Sequence, residues 1–369
     1  MYMDIKVSLG SNPTPIKKRL QSLKPVCDGL YPHEVLAIDF APYCNTKDNN
    51  FVTYWKYEYG IDNKELREIL NSLLERGYIE LGTIADAMNK MTIPVLKEEL
   101  NKRSLKVSGK KANLISRLIE NVSEEELSKT FNKIPYKQTA LGKQIIDKYP
   151  WIVYIHKNLR TEINIWDFAE LMAKSPKADY HENIWIYLEK KCDELLKKND
   201  YGFHRNTILT MSNLAYEEGD YKKSFDYLCR VTANDLTCTH NNFELDMFLI
   251  CLQYDLYFSY EQNSSCKILK YFVEKYKNFM EIFDWSKDEL RTNFVNNIAC
   301  VNLPIWLFTP EQYGDILIAE MNEDTIKVAK IYKDAEKAFK KAHKETFREI
   351  KEIDKYNPDM NIEINIIHE

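Results

Sequence analysis

Residues 96–118 read LKEELNKRSLKVSGKKANLISRL, a stretch far more basic than the chain around it. Between residues 90 and 120, eight lysine and arginine side chains stand against three glutamates, a net charge of +5. The whole 369-residue chain has a net charge of −5, so the residues outside this segment sum to −10. A compact basic segment in an acidic protein indicates an anionic partner at one place, not over the whole surface.

Two short helices are predicted in this basic segment. Leu96 and Leu100 are four residues apart and share a helix face, with Thr92 as the cap and Pro94 in the first turn. The sequence SLKVSGKK interrupts that helix, and Ser108 is a suitable cap for a second one. The two helices are predicted to enclose a small apolar core of Leu96, Leu100, Leu105, Val107, Leu114 and Leu118.

The placement of the charges is unusual. Lys110 and Lys111 stand in the first turn of the predicted second helix, where the helix dipole disfavours cations. The following helix shows the ordinary preference, because Ser123 precedes three glutamates. A bound anion accounts for the exception, since free N–H groups, the dipole and two ammonium groups then point at one phosphate. The alternative is a solvated basic hairpin that binds nothing.

The run TIPVLKEELNKRSLKVSGKKANLISRLIEN closely resembles the SAP domain, a two-helix DNA-binding motif. This resemblance covers about residues 90–121 and implies binding to duplex DNA, often AT-rich, through the loop and the start of the second helix. The glycine of the loop allows the backbone to approach DNA closely. The contact residues that the resemblance implies are Lys102, Arg103, Lys106, Ser108, Gly109, Lys110, Lys111 and Arg117.

A second pattern surrounds the basic segment. NKELREILNSLLERGYIEL, residues 63–81, predicts a helix that ends at Gly77 and is followed by a strand. This layout resembles a winged helix. The second wing strand and the next helix are predicted in YKQTALGKQII, residues 136–146, where Thr139 and Gly142 mark the helix start. The SAP module is therefore predicted to be inserted in the wing, since loop tips tolerate insertions.

Whether this winged-helix region also reads DNA stays open. Its candidate recognition helix carries three cations and three glutamates, a balance that attracts phosphate poorly. A purely structural or protein-binding winged helix is the alternative. The nearby aromatic residues Tyr54, Trp55, Tyr57 and Tyr59 either stack on bases or pack in the core.

From about residue 160 the patterns are almost entirely helical. Residues 207–231 predict two amphipathic helices around a turn at Gly219, which resembles a tetratricopeptide-type hairpin. No copy follows 34 residues later, so a repeat array is not predicted. FELDMFLICLQYDLYFSY, residues 243–260, predicts a core helix. Residues 322–356 predict a long charged helix with an apolar stripe through Ile331, Ala335, Ala338, Phe339 and Ala342.

No catalytic residue, metal ligand or cofactor is predicted. The seven histidines lie outside any known catalytic spacing, and His204 is either catalytic or a structural helix-start residue. The sequence CTH at 238–240 lacks a second ligand pair with zinc-like spacing. The eight cysteines form no Cys-x-x-Cys pair and are predicted to be free buried thiols.

The predicted fold class is mainly α, with three parts. A winged-helix-like domain of residues 1–89 and 131–160 carries the SAP module of residues 90–121, with a linker helix over 122–130. An all-helical, tetratricopeptide-like domain follows over 161–369. The chain has no apolar stretch long enough for a membrane span and no export signal, so a cytoplasmic location without membrane contact is expected.

The expected function is a non-enzymatic DNA-binding adaptor. The SAP module is expected to bind duplex DNA, with AT-rich DNA as the candidate site, and the helical C-terminal half to hold a protein partner. Two alternatives stay open, a nuclease-like enzyme with an unrecognised active site and a winged-helix transcription regulator. The Lys-, Asn- and Ile-rich composition is compatible with a low-GC bacterium or its phage.

Overall fold

The computed structural model describes residues 7–9, 14–48, 51, 53–174, 179–237, 239, 267–345 and 348. This part of the chain is mainly α-helical, as predicted, with one small two-stranded sheet. It forms two compact units, Met1–Tyr187 and Leu188–Glu369. None of the described helices combines the length and the apolar character that crossing a membrane requires.

The first unit opens with helices whose starts follow from their caps. In α4, the Asp62 carboxylate accepts the Glu65 N–H at 2.8 Å and the Glu65 carboxylate accepts the Asp62 N–H at 3.0 Å. Gly77 has φ +76° after the end of α4, the conformation that glycine adopts at low cost. The elements before the sheet are α1 (Ile16–Arg19), α2 (Pro32–Phe40), α3 (Tyr54–Tyr57) and α4 (Asn63–Glu75).

The sheet joins two segments that are far apart in sequence. Strand β1 (Ile79–Leu81) pairs antiparallel with β2 (Tyr136–Gln138), so the strand pairing predicted across the insertion is present. Helix α9 (Ala140–Lys148) begins at Thr139, whose hydroxyl donates to the Tyr78 carbonyl at 3.0 Å. A Cβ added at Gly142 would overlap that same carbonyl, so α9 approaches the start of β1 very closely.

Four helices lie between the two strands, and further helices complete the first unit. Helix α11 packs against α2, where Trp166 Nε1 donates to Nδ1 of the buried His33 at 3.3 Å. Because of this packing, the first compact unit extends to Tyr187. The domain boundary at 160/161 stays a prediction from the sequence. These elements are α5 (Ile84–Lys90), α6 (Ile93–Lys102), α7 (Lys111–Asn121), α8 (Glu124–Thr130), α10 (Pro150–Asn158) and α11 (Ile165–Lys174). Helix α12 (Tyr180–Lys197) begins in the first unit, and its residues from Leu188 onward belong to the second.

The second unit contains the predicted helical hairpin. The turn at Gly219 is present with φ +80°, and the Asp220 carboxylate accepts the Lys223 N–H at 3.1 Å. Ser212 and Ser224 each donate a side-chain hydrogen bond to the other's carbonyl, at 2.9 and 2.8 Å, which brings the two helices close together. The described helices here are α13 (Tyr201–Glu217), α14 (Tyr221–Leu236), α15 (Lys270–Phe283), α16 (Lys287–Ala299), α17 (Pro310–Met321) and α18 (Thr325–Ala342).

The last described helix buries a different stripe from the predicted one. Ala335 and Phe339 are buried, but Ala338 and Ala342 are exposed. Val328 and Tyr332 complete the buried stripe, because the helix turns these positions toward the core. The predicted core helix of residues 243–260 lies outside the described residues. So do Cys238, Cys251 and Cys266. The five described cysteines form no disulfide with one another, and Cys300 is exposed, so its predicted burial is wrong.

Candidate nucleic-acid interface

Helices α5–α8 form one small domain, which we call the basic module. Leu96 and Leu100 of α6 pack on Leu114 and Leu118 of α7, as predicted. Val107 lies outside this core with 39% of its surface exposed, so its predicted burial is wrong. The core also includes Ile115 of α7 and, from the segments on either side of the hairpin, Ala87, Met88, Leu127 and Phe131.

Helix α8 was predicted as a linker, but it belongs to this core. Leu127 and Phe131 are each 3% exposed and pack with the leucines of α6 and α7. A two-helix hairpin of this length has too little apolar material to exclude water by itself. The flanking helices supply the missing apolar surface, and this explains why the module extends beyond residues 90–121.

The start of α7 differs from the predicted one. Lys110 is the N-cap residue and Lys111 the first helical residue, so Ser108 lies before the cap and does not serve as it. Within the described residues no side chain caps α7, whereas Thr83 caps α5 and Ser123 caps α8. The first turn of α7 therefore presents two lysines and amides that no side chain caps. That arrangement attracts anions.

The loop before α7 is held in an unusual backbone conformation. Ser104 has φ +54° and Gly109 has φ +124°, both in the region that ordinary residues avoid. The Arg117 guanidinium donates from Nη1 to the carbonyl oxygen of Lys106 and, at 3.2 Å, to that of Ser108. These hydrogen bonds brace the loop, and the predicted role of Arg117 beside the DNA contact stays a prediction.

Two of the predicted contact residues are neutralised by neighbouring carboxylates. Lys102 lies 3.0 Å from Glu98 and 2.8 Å from Glu99. Arg103 lies 2.6 Å from Glu99 and 3.0 Å from Glu126. The hydrogen bond from Lys102, followed by that from Arg103, lowers the pKa of Glu99 below its usual value. Arg103 joins α6 to α8, whereas both ion pairs of Lys102 lie within α6. The contact of these two cations with DNA stays a prediction.

The remaining cations are more available. The structure brings Lys106, Ser108, Gly109 and Lys110 together in one exposed loop. Neither lysine of that loop has an ion pair within the described part of the chain. Lys111 is half-buried and donates to the Asn89 carbonyl at 2.7 Å, which leaves two of its protons for other acceptors. The loop and the start of α7 thus form a compact cationic surface.

The basic module is attached firmly to the sheet. Asp86 of α5 lies 2.6 Å from Lys137 of β2, and the Gly82 N–H donates to the Pro135 carbonyl at 2.8 Å. The hydrogen bond from Lys137, followed by one from Thr83, lowers the pKa of Asp86 to about 2. The chain enters and leaves the module through two paired strands, and the ion pair and the hydrogen bond fix the base of the module on the sheet.

Helix α4 is the candidate recognition helix of the winged-helix resemblance. Its arginine Arg67, and Arg76 directly after it, bond to other groups of the first unit. Arg67 Nη1 donates to the Asn45 carbonyl at 2.8 Å and to the Tyr136 hydroxyl at 3.0 Å. Arg76 Nη1 lies 2.6 Å from a Glu34 carboxylate oxygen. These bonds hold the first unit together, and they leave little cationic surface on α4 for phosphate.

The aromatic residues near α3 mostly pack inside the first unit. Trp55 and Tyr59 are 1% and 3% exposed, and Tyr54 is half-buried. Tyr57 alone of the four is well exposed, at 62%. Since stacking on bases requires an open ring face, core packing explains this group better than nucleic-acid contact.

The comparisons with known proteins agree with the geometry of the module. The family model of the SAP domain matches residues 87–123, which include all of α6 and α7. The chain thus contains a SAP domain, and the SAP domain is a DNA-binding motif. Neither the comparison with curated proteins nor that with solved structures found a match.

Two features of this site escaped the sequence reasoning. The first is the pairing of Arg103 with Glu126, which are 23 residues apart and meet only when α8 packs on α6. The second is the bracing role of Arg117. The pattern of apolar residues in α8 could have revealed the first, because Leu127 and Phe131 are four residues apart on one helix face. No sequence signal marks the second.

Proposed function

We propose that this protein is a non-enzymatic adaptor that binds duplex DNA through the loop 104–110 and the start of α7. The observation that carries the proposal is the start of α7 itself. It has no side-chain cap, it begins with Lys110 and Lys111, and it adjoins the exposed Lys106 within a SAP domain. A DNA phosphate placed there accepts hydrogen bonds from backbone N–H groups and from lysine ammonium groups, and it interacts favourably with the positive end of the helix dipole.

The loop conformation supports the same role. Gly109 has no side chain, so a DNA backbone can approach the loop closely at this point. Arg117 holds the carbonyls of Lys106 and Ser108, and it thereby fixes where the exposed side chains of the loop emerge. A preorganised loop binds more tightly because less conformational entropy is lost on binding. Phosphate contacts carry the affinity, and any preference for AT-rich duplex comes from groove shape.

The experiment that tests DNA binding removes the two exposed loop lysines together. We expect Lys106→Ala with Lys110→Ala to weaken binding to an AT-rich duplex in fluorescence anisotropy. The slope of log K against log salt should fall by up to about 1.8, or about 0.9 for each lost phosphate contact. A GC-rich duplex measured in parallel tests the AT preference, which should not change in the variant.

The matched control removes one lysine elsewhere in the same module. Lys97→Ala deletes an exposed α6 cation of the same type that lies outside the predicted contacts. We expect a much smaller effect on affinity and on the salt slope. The loop variant removes two charges and Lys97→Ala removes one, so a loss of binding free energy in Lys97→Ala half as large as in the loop variant would mean that the module attracts DNA only through its total charge. Unchanged binding in a folded loop variant would contradict the proposed interface.

The adaptor part of the proposal assigns a protein partner to the helical second unit. Its support is the hairpin of α13 and α14, which resembles hairpins that present binding surfaces in helical repeat proteins. The test uses the full chain on immobilised duplex DNA. A partner should be retained with the wild-type chain and lost with the double loop variant, which no longer holds DNA. A protein retained equally without the chain is bound to DNA directly and contradicts this part.

A further inference from the structure

The second unit contains a cavity of about 540 Å³ that plays no part in the proposed DNA interface. It lies between the C-terminal part of α12, α13, α14 and the segment that follows α16. Ile208 and Met211 form a buried apolar floor, with Cys192 beside them. This volume falls in the range of sites that hold small molecules, which combine apolar walls with a few polar groups.

One polar atom in the cavity wall has no partner. His204 lines the cavity, and its Nδ1 is buried without a hydrogen bond within the described residues. Burial, followed by the charge of Arg230, lowers the pKa of His204 to about 4, so the ring is neutral near pH 7. Buried polar atoms are nearly always hydrogen-bonded in folded proteins. Because the His204 side chain lines the cavity, a turn of its ring brings this unpartnered nitrogen to a ligand that completes the bond.

A cation stands at the rim of the same cavity. The exposed Arg230 guanidinium lies 5.4 Å from the centre of the Tyr227 ring, and it forms no ion pair within the described part of the chain. Glu189 and Asp193 also line the rim. Arg230 is the cation among the described residues that line the cavity, and it is therefore the group that can pair with a single negative charge.

We infer that the cavity binds a small amphipathic carboxylate. The apolar body of the ligand rests on Ile208 and Met211, and its carboxylate accepts hydrogen bonds from His204 and Arg230. One negative charge suits the site better than the two of a phosphate monoester, because Glu189 and Asp193 stand on the same rim. A free organic acid and the C-terminus of a peptide both present this chemistry. The proposal is independent of DNA binding.

The test uses the full chain and two matched pairs of probes in isothermal titration calorimetry. The first pair is 4-phenylbutyrate and 4-phenylbutyramide, and the second is N-acetyl-Leu-Leu with a free C-terminus and with a C-terminal amide. We expect each acid to bind at least about tenfold more tightly than its amide, as a charge-assisted hydrogen bond predicts. The stronger of the two acids identifies the source, a free acid or a peptide terminus.

Two variants and one control locate the binding. Arg230→Gln should abolish the preference for the acid, whereas Lys222→Gln, which removes an exposed cation of α14 outside the cavity, should leave it unchanged. His204→Phe should weaken acid binding and raise the melting temperature, because it removes a buried unpartnered nitrogen. Equal affinity for acids and amides, a preference that survives Arg230→Gln, or no saturable binding of any probe would overturn the inference.

Discussion

The bracing role of Arg117 gives the sharpest test of the DNA interface. Its guanidinium reaches two carbonyls of the loop, those of Lys106 and Ser108, and lysine cannot reproduce that fork. Arg117→Lys keeps the charge and loses the geometry, whereas Arg117→Ala loses both. A brace requires the two variants to behave alike, and a phosphate contact requires them to differ.

The magnitude follows from the two hydrogen bonds. Each contributes about 0.5–1.5 kcal/mol net, and because Arg117 is only half-buried the lower part of the combined range, about 1–1.5 kcal/mol, is appropriate. If the loop must recover its bound conformation at that cost, the apparent affinity falls by about five- to thirteenfold. The number of phosphate contacts stays the same, so the salt slope should not change.

The assay is fluorescence anisotropy on AT-rich duplex over a salt series, with a thermal melt to confirm folding. Lys110→Ala serves as the contrasting variant, because it should lower the salt slope by about 0.9. Wild-type affinity in Arg117→Lys, together with a lowered slope in Arg117→Ala, would refute the bracing role. Arg117 would then be the phosphate contact that the SAP resemblance implies. A wild-type chain that binds no duplex would instead refute the proposed function.

Three further predictions concern the loop, the sheet and the attachment of the module. Gly109→Ala places a side chain at φ +124°, at a local cost of about 1–3 kcal/mol; DNA affinity should fall while circular dichroism shows unchanged helix content, and retained affinity would contradict the strained loop. Gly142→Ala forces α9 away from the Tyr78 carbonyl, so the urea midpoint should fall by the equivalent of about 1–3 kcal/mol, and an unchanged midpoint would count against the close packing. Asp86→Asn should cost about 1 kcal/mol at pH 7, since the pair with Lys137 is partly exposed. The folded-state pKa of Asp86 is lowered to about 2 from an unfolded value of about 3.9, so this stabilisation is present above pH 4 and lost as the pH falls toward 2. Urea unfolding at pH 7 and at about pH 2 should show a lower free energy of unfolding for the variant than for the wild type only at pH 7.

Several elements were predictable because their signals are local. Asp62 and Gly77 mark the start and end of α4, and both do so through hydrogen bonds or backbone angles within a few residues. The turn at Gly219 follows the same logic. The SAP domain was identifiable because its leucine spacing and its glycine loop occupy one continuous stretch, which the family model also matches.

Other features depend on contacts between distant residues, which a sequence pattern does not contain. The N-cap residue of α7 is Lys110 and not the predicted Ser108. In the folded loop, the Ser108 carbonyl accepts a hydrogen bond from Arg117, which is nine residues away. Helix α8 packs in the core of the basic module because the two-helix hairpin alone leaves apolar surface exposed to water. In the same way, α11 packs on α2 through Trp166 and His33, which are 133 residues apart.

The amount and position of positive charge in the module are properties of the chain, and they sufficed to indicate an anionic partner. Which of those charges can reach a phosphate is decided by the folded arrangement. Lys102 and Arg103 lie beside glutamates, one of them on another helix, whereas Lys106 and Lys110 extend from an exposed loop. The physical reason is that the net charge of a segment is a sum over its residues, whereas the interaction energy of two charges depends on the distance between them in the folded protein.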